Sequence, residues 1–171
     1  MSSEAGFTHF TQDGRPVMVD VSDKPSTKRV AVAQARVRMQ STTHDAIVHQ
    51  AVRKGDVLAI AQLAGIMAAK KTSELIPLCH QVPLHHVALD LAFEDTGTSG
   101  NGGEAVLVIE AQVDTAYQTG VEMEALTAAS VAALTVYDMC KALDRAMVVE
   151  QVRLLYKDGG KSGVFQAPQN A

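Results

Sequence analysis

The run LTAASVAALTV, at residues 126–136, consists almost entirely of Ala, Val, Leu, Ser and Thr. This composition predicts a helix that other elements cover on most of its sides. The flanking residues extend the predicted helix from about residue 121 to residue 145. Because such a helix needs a sheet or further helices packed against it, it constrains the fold more than any other segment does.

Four segments in which apolar residues recur at every second position predict strands before and after this helix. Between the first two strands, Ser41 is expected to cap a short helix over residues 43–52. Gly55 and Asp56 are expected to open a second helix, which ends at Pro77. The predicted strands cover residues 28–39, 85–95, 104–116 and 147–157.

The order of these elements predicts the fold class. With the short extra helix set aside, strand, helix, strand, strand, helix, strand is the α+β, ferredoxin-like βαββαβ arrangement. Helices cover one face of its antiparallel sheet, so we expect the other face to meet a partner in an oligomer. We divide the chain into a flexible N-terminal arm (1–25), a single catalytic domain (26–158) and a Gly-rich flexible C-terminal tail (159–171).

Charge and composition exclude several classes of protein. The net charge of -4 argues against a general nucleic-acid surface, because phosphate neutralisation dominates that kind of binding. The sequence shows neither a signal peptide nor an apolar run that could span a membrane, so we expect a cytoplasmic protein without membrane association. The two cysteines do not form a secreted disulfide framework. Pairs of basic residues suit a small polyanion, although each pair alone is more typical of a solvated surface.

Two carboxylates and a lysine on the long helix are candidates for proton transfer. Glu124 and Asp138 project within about 40° of one another at 100° per residue, and Lys141 lies one turn beyond Asp138. A carboxylate and an ammonium group on one side of an apolar helix can act as paired acid and base. The alternative, which the spacing alone favours, is a salt bridge from Asp138 to Lys141 or Arg145 at the helix C-terminus.

The segment LCHQVPLHH brings Cys79, His80, His85 and His86 together in the sequence. Thiolate and imidazole both suit zinc, but the spacing fits no closed tetrahedral set. Cys79 activated by His80 is a second reading, although adjacent loop residues usually point apart and a core cysteine is more common. In the third reading, His80 is a fixed contact to substrate or a proton-transfer group, held between two prolines.

Four segments are distinctive when taken together: MVDVSDKP, KGDVLAIAQLAGIMAAKKTSELIPLCH, TGVEMEALTAASVAALTVYDMCKA and VRLLYKDGGKSG. They resemble the molybdenum cofactor biosynthesis protein C family of cyclic pyranopterin monophosphate synthases. The resemblance implies a ferredoxin-like fold in a homohexamer, a trimer of dimers, with active sites at the dimer interface. It also implies the reaction: a cyclised GTP derivative, 3',8-cyclo-7,8-dihydroguanosine triphosphate, is rearranged to the cyclic pyranopterin phosphate with loss of pyrophosphate.

The resemblance further implies the roles of individual residues. Asp138 is the expected catalytic acid/base, and Lys54 and Lys141 are expected to complete the catalytic set. The lysines suit a triphosphate whose developing charge must be neutralised. We expect no resident cofactor or protein metal site, and Mg²⁺ accompanying the triphosphate is left open. The expected substrate-binding residues are Leu78, Cys79, His80, Glu122, Met123, Glu124 and Lys157.

Two departures from the family pattern and one alternative function remain. Gln81 and Val82 replace the proline-containing continuation of many relatives, and Lys71 stands where many have an arginine. A lysine cannot make the bidentate phosphate contact of an arginine.

The expected partners are a small GTP-derived substrate and the radical enzyme that supplies it. The alternative is a non-catalytic, ferredoxin-like regulatory module that binds a nucleotide unchanged.

Overall fold

The computed structural model describes residues 13–94 and 103–168. Residues 1–12 of the predicted arm and 169–171 of the predicted tail lie outside this range, so the flexibility of arm and tail stays a prediction. The elements are β1 (Thr27–Gln40), α1 (Ser41–Val48), α2 (Val57–Ala69), α3 (Thr72–Leu75), β2 (His86–Phe93), β3 (Glu104–Tyr117), α4 (Glu122–Cys140), β4 (Val148–Asp158) and β5 (Phe165–Gln166).

The sheet has the order β2-β3-β1-β4-β5, and every neighbouring pair is antiparallel. β1 lies between β3 and β4, so the connection from β3 through α4 to β4 crosses over β1. The connection from β1 through the first three helices to β2 crosses over β3 in the same way. The first four strands therefore confirm the predicted α+β, ferredoxin-like arrangement. β5 adds a short edge strand, in which Phe165 pairs with Lys157 of β4. β5 lies within the segment that was assigned to the tail.

Small side chains allow α4 to pack closely on the rest of the domain. The alanines of α4 that face the core, such as Ala128 and Ala132, are fully buried. Gly65 of α2 lies against this surface: a Cβ added there would come within 2.4 Å of a Leu89 methyl carbon and 3.0 Å of the Ala128 carbonyl oxygen. This close approach holds α4 against α2, and both helices pack on the sheet. Within the described parts of the chain, no helix is both long enough and apolar enough to cross a membrane.

Helix boundaries confirm one predicted helix start and contradict a predicted cap. α2 begins after Asp56, as predicted, and the Asp56 side chain caps it by accepting a hydrogen bond from the Ala59 amide at 3.0 Å. Ser41 does not cap α1. It is instead the first helical residue, and Gln40 occupies the cap position without a side-chain hydrogen bond. The prediction was wrong because β1 runs directly into α1, so the strand supplies the extended residue that a cap requires.

Arg36 and Arg38 of β1 are engaged in ion pairs and do not form a free cationic surface. The two terminal guanidinium nitrogens of Arg36 donate to the carboxylate of Glu94. Arg38 pairs with Glu104 at 2.9 Å and with Glu150 at 3.6 Å. These contacts tie β1 to its neighbours, so this basic cluster belongs to the sheet rather than to a polyanion site.

Candidate active site

Asp138, near the C-terminal end of α4, binds two ammonium groups. One of its carboxylate oxygens accepts a hydrogen bond from Lys141 Nζ at 2.6 Å, and the other accepts one from Lys54 Nζ at 2.9 Å. We call these three residues the Asp138 cluster. The structure therefore brings together all three residues of the expected catalytic set.

A tight turn before α2 places Lys54 beside Asp138. The Gly55 amide donates to the Val52 carbonyl at 3.0 Å, and Gly55 has a φ of +103°, which an L side chain rarely adopts. The buried Val52 side chain holds the turn against the core. Lys54 also donates to the main-chain carbonyl of Asp138 at 2.7 Å, so it satisfies one of the last four carbonyls of α4, which lack partners within the helix.

The two lysines determine the protonation state of Asp138. Hydrogen bonds from Lys141 and then Lys54 lower the pKa of the Asp138 carboxyl to about 2. They offset the negative end of the helix dipole, which otherwise disfavours a carboxylate at this position. Asp138 is therefore ionised near neutral pH and can accept a proton, while the lysines carry the protons that could be donated. Its side chain is 58% exposed in the single chain, so the cluster opens to solvent.

A second group of predicted site residues lies at the N-terminal end of α4. We call residues 78–80 and 122–124 the Glu124 cluster. After α3, the Cys79 amide donates to the Ile76 carbonyl at 3.1 Å, and this turn directs the chain toward α4. Burial, and after it the charge of Glu124, raises the pKa of the Cys79 thiol.

Glu124 is a buried carboxyl with an unusual proton affinity. It is 4% exposed in the first turn of α4. Burial, reinforced by the charge of Glu122, raises the pKa of Glu124 to about 7. A helix N-terminus normally favours a carboxylate, so here the loss of solvation outweighs the dipole. Glu124 can therefore take up or release a proton near neutral pH.

His80 is held by the segment that precedes β1. Its Nε2 lies 2.7 Å from the main-chain oxygen of Val19. A carbonyl oxygen only accepts hydrogen bonds, so Nε2 carries the proton in this contact. This interaction was not predicted, because the whole segment was expected to belong to a flexible arm. The segment MVDVSDKP, which contains Val19, could have indicated a role near the site. It resembles the family, although no predicted site residue lies in it.

Lys157 lies at the same end of the sheet as the Glu124 cluster. In the sheet, Lys157 of β4 pairs with Ala31 of β1. The first residue of β1, Thr27, pairs with Tyr117 at the end of β3. Tyr117 precedes α4 by only a few residues. The Lys157 ammonium group donates to the Ser162 hydroxyl in the loop that follows β4. Lys157 therefore lies at the end of the domain that holds the Glu124 cluster and not at the end that holds Lys54.

The length of α4 separates the two clusters. Glu124 and Asp138 are fourteen residues apart, which corresponds to about 21 Å along the helix axis. Glu124 and Asp138 project from the same side of the helix, as their spacing predicted. This distance nevertheless keeps them apart within one chain. A cavity of about 510 Å³ lies between α1, α2 and β2, and its lining contains none of the ten predicted site residues.

The Cys and His residues around residue 80 do not gather as metal ligands. Within residues 13–94 and 103–168, no group of three or more His, Cys, Asp or Glu side chains could hold a metal ion. His85 Nδ1 instead accepts a hydrogen bond from the Ala116 amide at 3.3 Å. The raised pKa of Cys79 keeps it a thiol and argues against a nucleophile, because the thiolate is the reactive form.

Comparisons with known proteins cover nearly the whole chain. A sequence model described as the MoaC family matches residues 18–160. A cyclic pyranopterin monophosphate synthase of Dinoroseobacter shibae is 56% identical over 163 residues, which are 95% of this chain and 99% of the relative. The synthase of Geobacillus kaustophilus is 54% identical over 95% of this chain and 97% of its own. That of Bacillus velezensis is 53% identical over 94% and 92%.

Replacing Glu124 with Gln tests the buried carboxyl. The pKa of Glu124 rises on folding from its ordinary value of 4.5 to about 7, so the native state holds a proton that the unfolded chain releases between these pH values. Stability should therefore fall as pH rises through this window, by about 2 kcal/mol between pH 5 and pH 7.5. Glu124→Gln removes this loss. Denaturant unfolding at pH 5 and pH 7.5, at one protein concentration, measures the difference.

The control is Glu74→Gln, which changes an exposed carboxylate on α3. It should lose stability between the two pH values by as much as the unmodified protein does. An equal loss in Glu124→Gln would contradict the assignment of this pH dependence to Glu124.

Proposed function

The chain belongs to the MoaC family, and we propose that it catalyses the synthesis of cyclic pyranopterin monophosphate. It is then a lyase of molybdenum cofactor biosynthesis that converts 3',8-cyclo-7,8-dihydroguanosine triphosphate and releases pyrophosphate. The observation that carries this proposal is the Asp138 cluster, which combines a strongly ionised carboxylate with two ammonium groups.

The Asp138 cluster suits the proton transfers of this rearrangement. Opening a purine ring and closing a pterin requires protons to be removed and returned, and a positioned acid and base accelerate such steps. In our proposal Asp138 removes protons because its low pKa keeps it ionised. Lys54 and Lys141 supply protons and neutralise negative charge on the phosphates as the cyclic phosphate forms.

The substrate-binding set lies at the other end of α4, so we propose that a complete site needs two copies of the chain. A substrate of nucleotide size does not span about 21 Å between the two ends of one helix. In a twofold dimer, the same surface of each protomer meets its equivalent, so two α4 helices can lie side by side in opposite directions. Asp138 then approaches Glu124 of the partner subunit.

An apolar residue on the outer side of α4 supports this dimer. Leu134 is 59% exposed and lies between the two ends of the helix, on the same side as Asp138. On the neighbouring helix α2, Leu63 and Met67 are also more than half exposed. Exposed aliphatic groups that flank polar clusters are typical of an interface. The homohexamer, as a trimer of such dimers, is the larger assembly that we propose.

The remaining elements of the proposal concern the substrate and its surroundings. Residues 78–80 and 122–124, with Lys157, hold the purine-derived ring and the phosphates. An upstream radical enzyme supplies the cyclised triphosphate, and Mg²⁺ accompanying the phosphates stays an open expectation. A cytoplasmic location also stays an expectation; Cys79 and Cys140 are free thiols, as a reducing compartment requires.

Asp138→Asn tests the catalytic assignment. The amide keeps the size of the side chain but removes the base, so we expect kcat to fall by about 100-fold or more. Release of pyrophosphate and formation of the cyclic pyranopterin phosphate are measured with the cyclised GTP substrate. Asp90→Asn, on the exposed side of β2, is the control and should keep normal turnover. Near-normal kcat in Asp138→Asn would contradict the assignment, and substrate bound but unchanged by the unmodified protein would favour the regulatory module.

Leu134→Glu tests the proposed interface. A charge at this position should not disturb the core, since the side chain is largely exposed, but in the proposed dimer it would be buried against α4 of the other copy. We expect the mass in solution, measured by sedimentation, to fall below that of the hexamer and activity to fall with it. Val48→Glu, an equally exposed change on α1, should leave both unchanged. A Leu134→Glu hexamer with full activity would rule out this surface.

A further inference from the structure

The segment before β1 forms an ordered turn next to His80. One oxygen of the Asp20 carboxylate accepts hydrogen bonds from the Ser22 amide at 2.9 Å and from the Ser22 hydroxyl at 2.7 Å. Immediately before this turn, the Val19 carbonyl accepts the hydrogen bond from His80 Nε2. The turn and the histidine contact are therefore neighbours in the chain and in space.

We propose that Asp20 is a positioning residue for His80: its turn with Ser22 directs the Val19 carbonyl at Nε2 and so determines which ring nitrogen faces the substrate. This inference rests on the proposed function, in which His80 belongs to the substrate-binding set. It gives a role to the segment MVDVSDKP, which none of the ten site residues occupies.

The chemistry of imidazole explains why this contact matters. A neutral histidine carries its proton on one nitrogen and accepts on the other. The Val19 carbonyl selects the form that is protonated at Nε2. Nδ1 is then the nitrogen that accepts a proton or hydrogen bond from a ligand. A ring without this contact rotates and exchanges between its two neutral forms, so only part of the population is correctly arranged.

Further contacts hold the turn at this end of the molecule. The Gln118 side chain, between β3 and α4, donates to the Ser22 carbonyl at 3.4 Å. The Lys24 amide donates to the Val21 carbonyl at 3.0 Å, which adds a second turn. Hydrogen bonds from Ser22 also lower the pKa of Asp20, so its carboxylate stays ionised and acts as an acceptor only. Because Asp20 is exposed, replacing it should leave the core intact.

Three variants of the full chain separate the turn from the charge. Asp20→Ala removes both the acceptor and the charge, whereas Asp20→Asn keeps an oxygen that can accept from Ser22. Asp23→Ala removes a nearby carboxylate that makes no hydrogen bond or ion pair within the described segments. Each variant is labelled with ¹⁵N-histidine, and the Nε2–H resonance of His80 is identified by its loss in His80→Gln. Activity is measured on the cyclised GTP substrate.

We expect Asp20→Ala to lose the protected Nε2–H resonance and to lower kcat by about 10- to 100-fold, because the reacting geometry is no longer fixed. Asp20→Asn and Asp23→Ala should keep the resonance and most of the activity. A protected resonance and normal kcat in Asp20→Ala would overturn the proposal. So would an Asp20→Asn variant that behaves like Asp20→Ala, since the charge rather than the turn would then act on His80.

The spectroscopic experiment tests the contact between Val19 and His80 independently of the proposed function. If the unmodified protein keeps the Nε2–H resonance but does not convert the substrate, the function fails while the contact between Val19 and His80 survives. If the unmodified protein converts the substrate but shows no protected resonance, the positioning role of Asp20 fails and the function survives.

Discussion

The length and rigidity of α4 are the constraint on which the rest of the structure depends. Alanines along its buried side, together with Gly65 on α2, allow the helix to lie in close contact with its neighbours. A helix packed in this way cannot bend to bring its ends together. Its nineteen residues therefore hold the Asp138 cluster and the Glu124 cluster at opposite ends of the domain.

The two ends of α4 give their carboxyl groups opposite properties. Glu124 lies at the end where the helix dipole favours a negative charge, but burial raises its pKa to about 7. Asp138 lies at the end where the dipole opposes a negative charge, but Lys54 and Lys141 lower its pKa to about 2. Two carboxyl groups with such different affinities for protons can act as acid and base when they share a pocket. A dimer with antiparallel α4 helices would provide that pocket.

Local sequence patterns predicted much of the fold and part of the site. The small-residue run predicted the packing of α4, and the two-residue periodicity predicted the strands. The contact between Asp138 and Lys141, three residues apart, followed from helical spacing. The contacts of Asp138 with Lys54 and of His80 with Val19 did not, because 84 and 61 residues separate these partners and only the folded chain brings them together. Glu124 and Asp138 share a direction around the helix, but that direction did not reveal the distance that separates them along its axis.

Mixing two inactive variants tests most directly whether each site is built from two chains. Asp138→Asn and His80→Ala chains, with different affinity tags, are unfolded together in equal amounts and refolded, and the tags verify that mixed assemblies have formed. A mixed dimer has one site that carries both substitutions and one that carries neither. We predict that a random mixture recovers about a quarter of the unmodified activity, since half of the dimers are mixed and each has one intact site. Mixed assemblies that stay inactive would contradict the account, because both residues would then act within a single chain.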